Sequence, residues 1–281
     1  MELRSLRHEF RSRLALLYLP EEIDALFYRL IHHISGLPRH ILGIEPLKVI
    51  SDSEAAALES ALVQLQTGVP LQYITGIAYF MDQEFEVGPG VLIPRPETEE
   101  LVRWIWESFP ESEVLKILDV GTGSGCIPLS LGRLFSNAEL HAMDKSSEAL
   151  AYAKRNSKKH SIQVYWYEQD LFAVHDFNIQ FDIMVSNPPY IPEAEASKIH
   201  VNVRDFEPVT ALFVPDNDPL KFYRQLVQNS TSWIKPGGWL YLEIHENFSD
   251  QVLALLKEAG MQQVQLKMDI FGKPRFVRGQ R

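Results

Sequence analysis

The chain has 281 residues, 46% of them hydrophobic and 23% charged, a formal net charge of −10 and a single cysteine, Cys126. This composition is that of a soluble globular protein long enough for more than one folding unit. The acid excess argues against a protein whose main business is gripping nucleic-acid phosphates. One cysteine excludes an intrachain disulfide framework and fits a reducing compartment.

The first segment, "MELRSLRHEFRSRL", is charged throughout and lacks a signal-peptide core. No stretch approaches the roughly 20 apolar residues that a membrane span needs, so a cytoplasmic protein is expected. Apolar residues then recur at helical spacing: Leu6, Phe10, Leu14 and Leu17, followed by Ile23, Leu26, Phe27 and Leu30. Pro20, with Glu21 and Glu22 behind it, suits the start of a second helix. Ser51 to Glu54 has capping-box spacing, and Gly68 can close the helix it opens. A small helical bundle follows, and packing or docking is its plainest reading.

Residues 73–94, "YITGIAYFMDQEFEVGPGVLIP", are rich in β-branched and aromatic residues, and Gly88-Pro89-Gly90 predicts the turn of a hairpin. Pro96 and the glutamates around it predict a helix start. From about residue 114, strands and helices alternate through "VLKILDVG", "CIPLSLGRLF", "AELHAMD", "SSEALAYAKRNSKKH", "QVYWYEQDLF" and "FDIMVSNPPY". A helix over "PLKFYRQLVQNSTSWI", ended by Pro236-Gly237-Gly238, leads to the strand "WLYLEI". The helix "SDQVLALLKEAG" and two short strands around "DIFGKPRFV" close the chain. Such alternation predicts a largely parallel sheet with helices on both faces, an α/β, doubly wound, Rossmann-like fold.

"ILDVGTGSGCI" places Gly121, Thr122, Gly123, Ser124 and Gly125 between a buried strand and a helix, where a ligand can approach the backbone. A dinucleotide fingerprint wants G-x-G-x-x-G/A, and Cys126 stands at its last position. Asp144, ending the next strand, can take ribose hydroxyls. Asp170, with Leu171 and Phe172, lies at the end of the third strand, where an adenine could be sandwiched and its amino group bonded. With no G-K-[ST] for a triphosphate, S-adenosylmethionine fits best. No metal is expected.

Asn187-Pro188-Pro189-Tyr190 follows the fourth strand. The Asn187 side-chain oxygen and the Pro188 carbonyl can each accept one N–H of a planar NH₂ group, so that its lone pair faces an electrophilic methyl. The prolines hold both acceptors still, and Tyr190 offers a flat face for stacking. Bonds that strengthen as charge develops on nitrogen supply differential stabilisation.

These motifs resemble the amino-methyltransferases with an [N/D]-P-P-[Y/F] signature, and more closely the HemK/PrmC release-factor glutamine methyltransferases. "PLQYITGIAYF", "FEVGPGVLIPRPETEELV", "LDVGTGSGCI", "SNPPYIP", "FEPVTALF" and "PGGWLYLEI" occur in that family's order, after a helical N-terminal domain. The resemblance implies a class I methyltransferase domain over 94–281, a β-hairpin linker over 76–93 and a substrate-docking helical domain over 1–75. It implies methylation of the glutamine of the Gly-Gly-Gln motif in class 1 peptide chain release factors, which makes those factors the partners. It also implies cofactor contacts at Gly121 to Gly125, Asp144, Leu171 and Asn187, with Asn187 to Tyr190 holding the glutamine. Arg95 and Glu97 belong to the signature without an assigned chemistry.

Three stretches depart from the family pattern. "VPDNDPL" (Val214 to Leu220) replaces a glycine-rich loop, His245 stands where a glycine is common, and Pro274-Arg275 replaces an acid-Arg pair. A lone His at such a place reads as a satisfied supporting residue. The competing readings are a methyltransferase acting on an exocyclic amine of a nucleic-acid base, which must extract its target from a stack, and a non-catalytic cofactor-binding module.

Overall fold

The computed structural model describes residues 1–173 and 177–281. The chain divides into two compact units, one formed by Met1–Gly76 with Val201–Phe206, the other by Ile77–His200 with Glu207–Arg281.

The first unit is helical. Helix α1 (Leu3–Leu14) buries Leu3, Leu6, Phe10 and Leu14, the stripe that the spacing predicts. Helix α2 (Pro20–Ser35) begins with Pro20 in its first turn, beside Glu21 and Glu22, and ends on the left-handed Gly36. A single turn, α3 (Ile41–Ile44), leads to α4 (Asp52–Gln66), whose Ser51–Glu54 capping box is complete. Gly68 closes α4 at φ +87°, and α5 (Leu71–Thr75) ends the unit. Phe10 meets Phe27 edge-on at 5.1 Å in its core. The segment 201–206 adds to it, since the Asn202 side-chain amide donates to the Tyr18 hydroxyl at 3.0 Å.

The second unit opens with a hairpin, β1 (Ile77–Phe80) and β2 (Gln83–Glu86). Its turn is Met81-Asp82, both at positive φ (50° and 58°), and not the expected Gly88-Pro89-Gly90. The Glu99 carboxylate accepts the Met81 amide at 2.9 Å and holds that turn from outside the hairpin.

Helix α6 (Pro96–Ser108) follows, then β3 (Lys116–Val120), α7 (Cys126–Leu134), β4 (Glu139–Asp144), α8 (Ser147–His160) and β5 (Tyr165–Glu168). After β6 (Phe181–Ser186) come a two-residue strand β7 (Ile191–Pro192), α9 (Val201–Arg204) in the first unit, α10 (Val209–Leu212) and β8 (Phe213–Val214), which pairs with β7. Helix α11 (Lys221–Trp233), β9 (Ile234–Glu243), α12 (Ser249–Glu258), β10 (Gln262–Met268) and β11 (Pro274–Gln280) complete the unit.

Among the described residues the main sheet has seven strands in the order β10-β11-β9-β6-β3-β4-β5. All run parallel except β11, which lies antiparallel between β9 and β10. The sheet is therefore mixed, and its closing strands are seven residues each rather than short. Pro236 to Gly238 lie inside β9, so α11 stops at Trp233 without them. A side chain at Gly238 would stand 2.8 Å from the Asp182 carbonyl, which is why glycine is needed there.

Alternate strand residues serve two apolar layers. Ile117, Ile183 and Val185 pack with Leu101, Ile105 and Leu129 on one face, and Leu118, Met184 and Leu242 pack with Tyr223, Leu226 and Val252 on the other. Strands buried on both faces give the continuous apolar runs seen in the sequence.

Candidate active site

From β3 the chain winds outward through β4 and β5, then returns to place β6 on the other side of β3. The loops leaving β3 and β6 thus diverge over a crevice at the carboxyl ends of adjacent parallel strands, the place where open α/β sheets bind ligands. Asp119 pairs with Val185 in the ladder, and the Ser186 hydroxyl donates to the Val120 carbonyl at 2.7 Å. The glycine loop and the Asn187-Pro188-Pro189-Tyr190 turn therefore leave the sheet side by side.

One cavity joins them. Its walls include Gly121, Thr122, Gly123 and Ser124 from the first loop, Asp144 after β4, Asp170, Leu171 and Phe172 after β5, and Asn187, Pro188 and Pro189 after β6. Gly125 and Tyr190, expected beside them, are not among the lining residues.

The glycines have separate reasons. Gly121, Gly123 and Gly125 have φ of 75°, 56° and 80°, a region unfavourable to other residues. The amides of Gly121 and Thr122 both donate to the Met143 carbonyl, at 2.9 and 3.0 Å, which pins the loop to the end of β4. Added Cβ atoms at Gly121 and Gly123 would meet, respectively, nothing within 4 Å and only Val91 at 3.8 Å, so the space over the loop is open to a ligand. A Cβ at Gly125 would instead lie 3.2 Å from both Ala153 and Trp166. That glycine serves the fit between the loop and helix α8.

Asp119, two residues before the first glycine of the loop, is fully buried with neither carboxylate oxygen in a hydrogen bond of normal geometry, and the buried hydroxyls of Thr122 and Ser124, near the Asp119 carboxyl and the Cys126 thiol respectively, make none either. Burial pushes the Asp119 carboxyl up to about 7, with the nearby Asp144 charge adding to the effect. The Thr122 hydroxyl opposes this without making a hydrogen bond of normal geometry. Unsatisfied buried polar groups are costly, and three within six residues suit a bound molecule with several donors and acceptors. A nucleoside carrying an amino acid is of that kind.

Asp144 is already engaged. Its two oxygens accept the Gly123 and Ser146 amides, each at 2.9 Å, so it shapes the loop and keeps lone pairs for further donors. Burial is the largest cause of its raised pKa, opposed by those amide bonds. Strand β5 stops at Glu168, four residues before the end of the expected strand, and Asp170 accepts the Phe172 amide at 2.9 Å and turns the chain. Phe172 meets Phe222 edge-on at 5.2 Å, with the Lys221 ammonium 4.7 Å from its centroid.

At the second loop, the Asn187 side-chain NH₂ donates to the Thr98 hydroxyl at 3.0 Å, and that hydroxyl donates to Glu243 Oε2 at 2.7 Å. The Tyr190 hydroxyl donates to Glu243 Oε1 at 3.0 Å. Glu243 is only 1% exposed, and burial raises its pKa against these two hydrogen bonds and the Arg275 charge. Tyr190 is thus tied to the end of β9, with its ring 6.0 Å from that of His245. His245 accepts the Asn247 amide on Nδ1 at 3.2 Å and is largely buried, as befits a supporting residue.

Arg95, the N-cap of α6, lines the cavity and donates to Glu207 Oε1 at 2.6 Å, while Glu207 Oε2 accepts the Ile93 amide at 3.0 Å. Glu207, Thr98, Glu243 and Asp119 are site-forming residues that were not among the expected ones. The signals were faint: Asp119 is the penultimate residue of β3 and Glu243 the last of β9, and Thr98 and Glu207 sit in the "RPETEE" and "FEPVTALF" stretches. Cys126 also lines the cavity, and burial pushes its thiol up to about 12, which disfavours the reactive thiolate. Among the described residues there is no group of side chains that could hold a metal ion, and no helix is long and apolar enough to cross a membrane.

The chain matches the Methyltransferase small domain family over residues 101–204 and the PrmC N-terminal domain family over 5–76. It is 38% identical, over 99% of both chains, to a release factor glutamine methyltransferase of Flavobacterium psychrophilum. A protein of the same name from Bacteroides thetaiotaomicron is 39% identical over 96% of this chain and 97% of that one. In fold it is similar to the 16S rRNA N2 G1207 methyltransferase of T. thermophilus, solved with AdoMet and guanosine, at TM-score 0.54 and 19% identity over 73% of this chain and 49% of that one. With a mixed methyltransferase sheet, a helical N-terminal domain and relatives of such identity along its whole length, the chain belongs to the release factor glutamine methyltransferase family.

Proposed function

We propose that this enzyme transfers a methyl group from S-adenosylmethionine to the side-chain amide nitrogen of the glutamine in the Gly-Gly-Gln motif of class 1 peptide chain release factors. The carrying observation is the shared cavity, whose lining includes both the glycine loop and Asn187 with Pro188. The names of the relatives supply the protein substrate.

The cofactor's contribution, when bound, is an electrophilic methyl group on a sulfonium. Gly121, Thr122, Gly123 and Ser124 would accept its amino-acid end, Asp144 its ribose, and Asp170, Leu171 and Phe172 its base. The Asn187 carboxamide oxygen and the Pro188 carbonyl would each accept one N–H of the glutamine amide. An amide nitrogen is a poor nucleophile because its lone pair is delocalised into the carbonyl. Two acceptors in the plane of the NH₂ turn that lone pair toward the methyl and gain strength as the nitrogen becomes positive. The nitrogen would gain the methyl carbon as the methyl–sulfur bond breaks and leaves its electron pair on a neutral thioether, and would lose one proton to water, so no dedicated base is needed. Holding both reactants in one rigid cleft supplies much of the rest by orientation.

The helical unit of residues 1–76 would dock the release factor, and the reaction would take place in the cytoplasm, where such factors act. The net charge of −10 sets this reading above base methylation in a nucleic acid. The test is incubation with labelled S-adenosylmethionine and a purified class 1 release factor, followed by mass mapping. Label on the Gly-Gly-Gln glutamine is expected. Label elsewhere, or on RNA alone, overturns the reading.

A further inference from the structure

We propose that Thr98 and Glu243 form a positioning pair that sets which end of the Asn187 carboxamide is presented to the substrate. The inference rests on the proposed role of Asn187 and extends it to two residues outside the motif.

A carboxamide has an oxygen end and a nitrogen end of nearly equal shape, and its hydrogen-bond partners decide which end points where. Only the oxygen end can accept an N–H from a substrate amide. An Asn free to turn over would offer the wrong end part of the time.

In this fold the ambiguity is removed by a chain of one-way bonds. Glu243, when ionised, is acceptor-only. It takes the Thr98 hydroxyl proton at 2.7 Å on Oε2 and the Tyr190 hydroxyl proton at 3.0 Å on Oε1. Thr98 has one proton to give, and it is spent on Glu243, so the Thr98 oxygen can only accept. With Glu243 ionised, the group facing it at 3.0 Å is the Asn187 NH₂, and the carboxamide oxygen is the end left for the substrate.

The fold brings these residues together from three separate places. Ser186 pairs with Leu242 across parallel strands β6 and β9, so Asn187 and Glu243 leave the sheet at the same level. Thr98 reaches them from the first turn of α6, where Pro96 starts the helix. Arg275 on β11, itself paired with Asp269 at 3.2 Å, supplies positive charge to this buried carboxylate. Arg275 stands in one of the three stretches that depart from the family pattern.

The test is steady-state methylation of a purified release factor by the full-length wild type, Thr98→Val and Thr98→Ser, with cofactor affinity measured by calorimetry. Thr98→Val keeps the shape and removes the hydroxyl. Its kcat is expected to fall about tenfold to a hundredfold, because orientation is lost at the reacting nitrogen. The KM for the release factor and the Kd for S-adenosylmethionine are expected to stay within about threefold. Thr98→Ser restores the hydroxyl and should recover kcat to within about threefold of wild type, which a loss of packing alone would not predict.

Wild-type kcat in Thr98→Val, or equal slowness in Thr98→Val and Thr98→Ser, overturns the positioning role. Should Thr98→Val fail to fold, Thr98→Ala carries the same expectations. No methylation of the release factor by the wild type would overturn the proposed function together with this inference; wild-type transfer alongside an unaffected Thr98→Val overturns the inference alone.

Discussion

Asp119 places an unpaired carboxylate in a fully buried site just before the glycine loop, and this has a measurable consequence in Asp119→Asn. Its pKa moves from the usual 3.8 to about 7 in the folded protein. Between those values the folded chain holds a proton that the unfolded chain releases, so stability falls as pH rises through that window. At about 1.4 kcal/mol per unit, the displacement amounts to roughly 4 kcal/mol of stability lost between pH 4 and pH 8. Asparagine cannot ionise and removes this dependence. Urea unfolding of both proteins at several pH values is the assay, followed by tryptophan fluorescence. All five tryptophans, at 104, 106, 166, 233 and 239, lie in the catalytic unit, so the signal reports the part that contains Asp119. The stability of Asp119→Asn relative to wild type should rise by about 3–4 kcal/mol from pH 4.5 to pH 8. A difference that stays constant with pH, within about 0.5 kcal/mol, would refute the assignment of a desolvated, unpaired Asp119.

Three further outcomes are expected. Asn187→Ala should keep the Kd for S-adenosylmethionine within a few-fold while kcat falls by roughly a hundredfold or more, since the lost contact belongs to the transition state; near wild-type turnover would remove Asn187 from the mechanism. Gly125→Ala combines a φ of 80° with a Cβ 3.2 Å from Ala153 and Trp166, and thermal or urea unfolding should show a loss of about 1–3 kcal/mol. Glu207→Ala strands the Ile93 amide and removes the partner of Arg95; unfolding should show about 2–4 kcal/mol lost, with Glu207→Gln milder.

Much of the sheet was legible because its central strands β3, β4 and β6 are buried on both faces and its helices on one. Those two periods are written in the order of apolar residues. The glycine loop after β3, Asp144 at the end of β4 and Asn187 after β6 were legible for the same reason, since ligands gather at the carboxyl ends of parallel strands. The Ser51–Glu54 box and the start at Pro96 were local too, because a capping bond or a missing N–H needs no distant partner. The hairpin turn was misplaced because Met81-Asp82 carries no turn signature and is held by Glu99, 18 residues away. Pro236-Gly237-Gly238 reads as a break, yet β9 runs through it, where the neighbouring Asp182 carbonyl demands a glycine.

What the amino-acid order determined by itself was the alternation of elements, the glycine loop and the rigid corner at Asn187, each encoded within about a dozen neighbouring residues. Only the tertiary structure decided that Gly125 packs against a helix, that Tyr190 is drawn back to Glu243, and that Thr98 and Glu243 meet at the Asn187 carboxamide. Positions 98, 187 and 243 are far apart along the chain, and no periodicity or motif relates them. They become neighbours because α6 packs over the sheet where β6 and β9 run parallel, and a hydrogen bond exists only where folding has brought its two ends together.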